Sequence, residues 1–546
     1  MTAREMTPLP DRTVAVTRPA IERHAAERPE AIAVVAEDGD VWTWARARDE
    51  ADRAAGALAQ RGVGRGDRVL LFLPNGTGWL RAWWGIATLG AVMVPVNTAY
   101  RGETLRHVCQ DSGARLIVAD GDLGTRLADA GVCLEIIDPA ELAVGSPAAP
   151  AVGEPLEPWD VHAVNYTSGT TGPAKGVLTP YLATYMGGHG TLGEGSGLTP
   201  DDRWLIDLPL FHVGAQMASL SVVSVGASLA VRTQFAGRQY WEVVVETGVT
   251  RSLLVGTMAN FLLGQEPIPA ERKHALNAVV IAPMVADPDG FRERFGVRHL
   301  VGVYGQTEIS APLGCPPGAP LVPGSCGRPR AGVELRIVDE HDIPVPVGAV
   351  GELIVRTGRP WEMNVGYLGN PEATARAWRN GWFHTGDAFR RDEDDNYFFV
   401  DRQSDTLRRR GENISSFQVE LEVAAHPDIA EAACVAVVGE LGEDEVKVLV
   451  VPVAGRQPDL PGLIEFLVPR MPHFMVPRYI EVVDELPKTQ TMRVQKFMLR
   501  QRGNTEHTWD REAAGLHVTR AGLQPRGSGG VPRKDSPPTT TSMEVV

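Results

Sequence analysis

The sequence predicts an α/β protein with a large N-terminal domain of parallel α/β sheets, a small antiparallel section after it, and a small α+β domain at the C-terminal end. Three observations carry this expectation. Up to about residue 330, Gly-punctuated helical stretches alternate with short Val/Ile/Leu runs, the pattern of buried strands joined by crossover helices. From Gly327 to Val400 the runs sit between Gly, Pro and Asp turns, as antiparallel strands do. Beyond the polar stretch Asp401–Asp405, strands and helices alternate on a shorter scale.

In chain order, the runs of the first section are VLLFLP, ARLIVAD, AVNYTS, VVIAP and HLVGVYG. The antiparallel section carries VELRIVD, GELIVRT and NYFFVD, and the last domain VELEVAAH, ACVAVVG, VKVLVVP and PGLIEFLVPR. The longest apolar run, Ala82–Val96, covers 15 residues. That is short of the roughly 20 needed to span a bilayer, and it reads as a buried helix followed by a strand. The expected domains are 1–402 and 403–503. Residues 504–546, rich in Gly, Ser, Pro and Thr toward the end and without apolar periodicity, read as a disordered tail.

A chain of 546 residues suits roughly two to four domains. Its 43% hydrophobic and 22% charged residues are ordinary for a soluble enzyme. A net charge of −15 argues against nucleic-acid binding, so anionic ligands must be held by local donors. Cys109, Cys133, Cys315, Cys326 and Cys434 are scattered and lack CxxC spacing, which reads as reduced thiols without a zinc site or disulfide framework. The first residues, MTAREMTPLPDRT, hold no apolar signal core, so a cytoplasmic protein without a membrane partner is expected.

The run Tyr166-Thr-Ser-Gly-Thr-Thr-Gly-Pro-Ala-Lys175-Gly176 carries the most chemistry. Gly169, Gly172 and Gly176 keep side chains clear, so backbone N–H groups can face an anion. Thr167, Ser168, Thr170 and Thr171 add hydroxyl donors, and Lys175 adds a mobile positive charge. It is not a Walker A loop, which ends in Gly-Lys-Ser/Thr; here Gly176 follows Lys175. Without the lysine and the apolar flanks, the same composition would read as a flexible surface loop.

This loop resembles the phosphate-binding loop of the adenylate-forming (ANL) enzymes, in particular the acyl-CoA ligase branch that includes crotonobetaine/carnitine-CoA ligase. The resemblance runs to about residue 500 through motifs in the family's order. It implies a two-step reaction: a carboxylate and ATP give an acyl adenylate and pyrophosphate, the C-terminal domain rotates, and the CoA thiol then displaces AMP. Tyr304-Gly305-Gln306-Thr307-Glu308 implies an adenine-stacking Tyr304, an α-phosphate contact at Thr307 and a Mg²⁺ ligand at Glu308. Ala282 and Pro283 fall where the family places a loop beside adenine, and Asp387 and Arg402 match its ribose- and phosphate-contacting positions. Pro209-Leu-Phe-His212 implies a histidine lining the acyl site, with Gln216, Met217, Gly302 and Val303 as further pocket residues. The small Gly302 and Gly305 suggest room for a sizeable apolar acyl group. Arg410, Gly411, Glu412 and Asn413 resemble the loop that borders the pantetheine tunnel. A homodimer is the family-level expectation.

One departure stands out. The family's Pro-Lys-Thr-x-Thr-Gly-Lys reads Pro487-Lys-Thr-Gln-Thr-Met492-Arg493 here, so the catalytic lysine is Arg493 and the preceding glycine is Met492. A planar guanidinium does not replace a compact ammonium, and losing such a donor slows the step it serves by roughly 10²–10³-fold. The expectation is a ligase that turns acyl adenylate and CoA into acyl-CoA and AMP, with adenylation weak or lost. A separate adenylating enzyme would then be its partner. In this respect the chain resembles ligases of diterpenoid-antibiotic biosynthesis of the platensimycin/platencin type. Two alternatives stay open: a complete ATP- and Mg²⁺-dependent synthetase, in which Lys496 could stand in for the lost lysine, and an adenylation enzyme that loads a carrier protein.

Overall fold

The computed structural model describes residues 8–146, 148, 150–167, 174–189, 197–315, 318–402, 407–409, 412–439, 444–489, 492, 494–519 and 522–525. The chain divides into one unit of Met1–Ser404 with Lys488–Arg493, and a second of Asp405–Pro487 with Val494–Val546.

The first unit holds two large sheets. One has six strands in the spatial order Glu135–Ile137, Leu116–Ala119, Arg68–Phe72, Val92–Pro95, Val161–Thr167 and Lys175–Pro180. All neighbours are parallel except the last pair, which is antiparallel. The other has nine strands: Arg328–Pro329, Ser310–Gly314, His299–Gln306, Ala278–Ala282, Arg251–Val255, Arg203–Ile206, Ser228–Val231, Ile32–Ala36 and Val41–Thr43. Its centre is parallel and both ends turn antiparallel. The short apolar runs become these central strands because crossover helices cover both faces and leave no polar face to mark.

Between the sheets lies a tryptophan-rich core, with Trp42, Trp44, Trp79, Trp83, Trp84 and Trp204 all at most 1% exposed. The helix Trp44–Gln60 presents Ala47, Ala51, Ala54, Ala55 and Leu58 along its buried face. The helix Thr77–Leu89 meets it so closely that a Cβ on Gly85 would stand 2.4 Å from the Ala54 Cβ. Only glycine permits that approach. The apolar run from Ala82 resolves as expected into this helix, a left-handed cap at Gly90 (φ 68°) and the strand Val92–Pro95. Among the described residues no helix is long and apolar enough to cross a membrane.

The expected antiparallel section is a five-stranded sheet of Val333–Val338, Gly351–Thr357, Trp382–Arg391 and Trp378–Arg379, with Tyr397–Arg402 also paired to Trp382–Arg391.

The second unit is α+β. Its sheet runs Ile429–Val438, Asp444–Pro452, Tyr479–Val482 and Trp509–Asp510, packed with the helices Ser416–Ala424 and Leu460–Leu467. Here the expected tail needs correction. Trp509–Asp510 pairs with Tyr479 and Ile480, and Leu516–Thr519 forms a hairpin with Gly522–Pro525. The buried Lys447 ammonium contacts Glu481 (2.5 Å), the Gly503 carbonyl (2.6 Å) and Thr508 Oγ1 (3.1 Å), tying the chain down across residue 504. Trp509, Val518 and Leu523 pack on the unit's core. Three spaced apolar side chains and one buried cation order the segment, a signal too sparse for any periodicity to reveal. Residues 526–546 lie outside the described residues.

Candidate active site

The antiparallel pair at the edge of the six-stranded sheet carries the phosphate-loop motif. Thr167 and Lys175 are direct partners in its register, so both ends of the loop are fixed across from one another. Ser168, Gly169, Thr170, Thr171 and Gly172 lie outside the described residues. On the entering side, Tyr166 Oη donates to Asp111 Oδ2 at 2.6 Å. Burial first, and that bond second, push the phenol's pKa up and keep it a donor. On the leaving side, residues 365–368 close the sheet edge: Leu178 N donates to Gly366 O (3.0 Å), Val365 N to Leu178 O (3.1 Å) and Leu368 N to Gly176 O (2.8 Å). Lys175 Nζ lies 5.1 Å from the centroid of the Tyr367 ring, a cation–π distance.

The strand His299–Gln306 delivers the second motif to the same unit. Tyr304 Oη (2.8 Å) and Gln306 Nε2 (2.7 Å) both donate to Asp387 Oδ2, and Gln306 also donates to the Thr385 carbonyl (3.1 Å). Asp387 is 3% exposed, and its backbone stands opposite Arg402 in the antiparallel register. The side chain of Arg402 lies outside the described residues. The edge of the Tyr304 ring packs on Phe389 at 4.8 Å, fixing its plane. Glu352 supports the Asp387 turn, accepting from Gly386 N (3.0 Å) and facing His384 Nδ1 (3.0 Å).

The turn after Gln306 is held on three sides. Ser310 Oγ donates to Ala183 O (2.6 Å), while Asn364 N and Nδ2 both donate to Glu308 O (2.9 and 2.8 Å). Glu308 Oε1 accepts from Tyr367 Oη at 3.1 Å. Burial, and next the Glu308 charge, raise the Tyr367 pKa, so the hydroxyl remains a donor. Thr307 is half-buried within this turn. Ala282 ends its strand in the same sheet, followed by the exposed Pro283.

Among the described residues no three metal-ligating side chains cluster. A protein cage for a cation is therefore absent from them, but Mg²⁺ does not need one. It is commonly held by one or two carboxylates together with substrate phosphates, and the half-buried Glu308 carboxylate fits that donor set.

On the acyl side, His212 is exposed at the N-terminus of the helix Val213–Val225 and caps it, Nδ1 accepting from Gly214 N at 3.2 Å. With Nδ1 accepting, the neutral ring carries its proton on Nε2. Gln216 is fully buried, and its Nε2 donates to Asn165 Oδ1 (3.0 Å) and Leu210 O (3.1 Å). It braces the histidine turn against the strand that enters the phosphate loop. Met217 packs so closely that a Cβ on Gly187 would lie 2.8 Å from its Cε. Val303 is half-buried against the main core.

The two small glycines do not open the space that their size suggests. A Cβ on Gly302 would meet Met284 Cε at 3.3 Å and Cys315 Sγ at 3.5 Å, and one on Gly305 would lie 2.1 Å from Ser310 O. Gly305 is glycine because backbone passes against it, and the room at Gly302 is filled from neighbouring elements.

Of the expected CoA-binding loop, Arg410 and Gly411 lie outside the described residues. The backbones of Glu412 and Asn413 pair with Arg409 and Arg408 in a short hairpin, their side chains undescribed. Arg493 also lies outside the described residues. Met492 belongs to the first unit, packs against its main core and has φ 60°. An L-residue in this left-handed region costs roughly 1–2 kcal/mol, which glycine avoids. Lys496 makes an ion pair with Glu420 (2.8 Å) and donates to Ser416 Oγ (2.6 Å) within the second unit. Its ammonium is thus engaged at home.

Sequence reasoning missed Tyr367 and Asn364, which hold Glu308 from a segment more than 50 residues away. The local run Tyr-Leu-Gly-Asn-Pro reads only as a turn.

Comparison with known proteins shows the family and the fold. The family described as AMP-binding enzyme matches residues 21–367, and the AMP-binding enzyme C-terminal domain matches residues 418–493. The crotonobetaine/carnitine–CoA ligase of Escherichia coli K12 is 30% identical over 472 residues, covering 82% of this chain and 90% of that protein. Its counterpart from Citrobacter koseri is 30% identical over 482 residues, covering 84% and 93%. Among solved structures, ATP-bound MatB from Rhodopseudomonas palustris superposes with a TM-score of 0.79 at 26% identity, covering 89% of this chain and 99% of that one. The O-succinylbenzoate CoA synthetase of Bacillus subtilis shares the fold, with a TM-score of 0.80 at 24% identity, covering 89% and 99%. The chain belongs to the AMP-binding enzyme family of adenylate-forming proteins and, within it, to the AMP-forming acid–thiol ligases.

Proposed function

We propose that this protein is an ATP-dependent acyl-CoA ligase that performs both half-reactions on a carboxylic acid. In the first, a carboxylate oxygen attacks the α-phosphorus of ATP, the bond to the β-phosphate oxygen breaks, and pyrophosphate leaves. In the second, the CoA sulfur attacks the acyl carbon, the bond to AMP breaks, and the thiol proton passes to solvent. The observation that carries this reading is the joining of Tyr304 and Gln306 onto Asp387, with Glu308 and Lys175 meeting at Tyr367 in the same unit.

On this reading Asp387, oriented by Tyr304 and Gln306, accepts from ribose hydroxyls. Lys175 and the loop donors of Thr167, Ser168, Gly169, Thr170, Thr171 and Gly172 neutralise phosphate charge, with Thr307 at the α-phosphate. Mg²⁺, when bound at Glu308, would supply further charge neutralisation on the leaving phosphates. His212 is assigned to the lining of the acyl site. Arg402 is assigned to ribose or phosphate, and Arg410, Gly411, Glu412 and Asn413 to the pantetheine arm. Support for CoA as the thiol comes from relatives named crotonobetaine/carnitine–CoA ligase, and for ATP from the ATP-bound MatB structure.

A second reading has its own observation. Arg493 stands where the family has its catalytic lysine, and Lys496 is already paired with Glu420. Adenylation would then be slow, a separate enzyme would supply acyl adenylate, and a place in diterpenoid-antibiotic biosynthesis would fit.

Two assays decide. ATP–pyrophosphate exchange is measured with a panel of carboxylic acids, and thioester formation is measured from synthetic acyl adenylate with CoA or with a phosphopantetheinyl carrier protein. Acid-dependent exchange together with CoA thioester supports the two-step ligase. Thioester formation without exchange moves the assignment to the second reading. Preference for the carrier protein over CoA overturns both.

A further inference from the structure

Tyr367 is not among the residues assigned to nucleotide binding, yet it touches two charged groups of the proposed site at once. Its hydroxyl donates to Glu308 Oε1 at 3.1 Å, and its ring face carries the Lys175 ammonium at 5.1 Å from the centroid. Its position is built in from both sides. The backbone bridges Val177, next but one to Lys175, and Leu368 N donates to Gly176 O at 2.8 Å. Tyr367 N in turn donates to Thr374 Oγ1 at 2.9 Å, and Asn364, three residues earlier, holds the Glu308 carbonyl. The phenol is thus anchored to the strand that bears the lysine and bonded to the carboxylate on the facing turn.

Resting on the ligase reading above, we infer that Tyr367 is a positioning residue for adenylation, setting the distance between the cation at the end of the phosphate loop and the carboxylate that would hold Mg²⁺. The two side chains have opposite charges, and a direct ion pair would cancel the charge that each is needed to present to ATP. A phenol between them engages both without neutralising either. It accepts the cation on its π face and gives the anion one hydrogen bond from its hydroxyl. Thioester formation from a preformed adenylate has no pyrophosphate to neutralise, so it should depend on this arrangement far less.

The test uses the full chain with Tyr367→Phe, which keeps the ring under Lys175 and removes the hydroxyl, and Tyr367→Leu, which removes both. Three quantities are read: Mn²⁺ binding to the enzyme–ATP complex by electron paramagnetic resonance, the Mg²⁺ dependence of ATP–pyrophosphate exchange, and thioester formation from synthetic acyl adenylate and CoA. Tyr367→Phe is expected to weaken Mn²⁺ binding about tenfold and to raise the half-saturating Mg²⁺ by a similar factor. The thioester rate should stay within about twofold, and Tyr367→Leu should in addition raise the KM for ATP. Unchanged Mn²⁺ binding in Tyr367→Phe overturns the inference. So does an equal fall in both half-reactions accompanied by a lower Tm, which marks a purely structural residue. If the unmodified enzyme shows no exchange, the two-step reading fails on its own, and the Mn²⁺ measurement still decides the role of Tyr367.

Discussion

The nucleotide cradle of the first unit and the segment Lys488–Arg493 both carry family motifs, but they are built to different standards. In the cradle the described groups back one another: Asp387 is held by Tyr304 and Gln306, Glu308 by Tyr367, and the Glu308 carbonyl by Asn364. In the segment the motif itself changes, with Met492 holding a left-handed backbone that suits glycine and Arg493 replacing lysine. On the proposed assignments, the contrast teaches that holding an adenylate and making one are separable demands. The first needs many small, mutually supported contacts, and the second rests on one group delivered to one place.

The largest effect is expected from repairing the segment. Met492→Gly with Arg493→Lys should raise ATP–pyrophosphate exchange by about 10²-fold if the altered motif limits adenylation. An unchanged rate would mean that the arginine already serves. Weakening the cradle is a smaller perturbation. Tyr304→Phe removes a donor on Asp387 Oδ2, and AMP affinity measured by calorimetry should fall about tenfold. The smallest effect is expected at Lys496. Its pairing with Glu420 keeps it out of the reaction, so Lys496→Ala should leave exchange within about twofold and cost about 1 kcal/mol in denaturant unfolding.

Much of this was legible in the sequence because it is local. Runs such as LIVA and VVIA are buried on both faces, and hydrophobicity alone marks them as central strands. The motif residues Tyr304, Glu308 and Asp387 stand out for similar reasons, since their neighbours in sequence are distinctive. What the sequence hides is who backs whom. Tyr304 and Asp387 are 83 residues apart, and Glu308 and Tyr367 are 59 apart, so their bonds exist only after the sheets form. Gly302 misleads for a related reason. A missing side chain looks like room for substrate until Met284 and Cys315, from other elements, are seen to occupy it. The stretch after Gly503 misleads in the opposite sense, since a few spaced anchors order it against its composition.

The Gln216 amide acts as a gauge block. One nitrogen bonds Asn165, two residues before Thr167, and also the Leu210 carbonyl, two residues before His212. On the proposed assignments, the place where the acyl carbonyl is met and the place where phosphate is met are therefore measured from the same datum. A misplacement of about 1 Å between reacting groups can cost two orders of magnitude in rate. Swapping the acyl pocket for another specificity would have to leave Gln216, Asn165 and the Leu210 turn in register, and that sets the boundary within which this scaffold can be re-tooled.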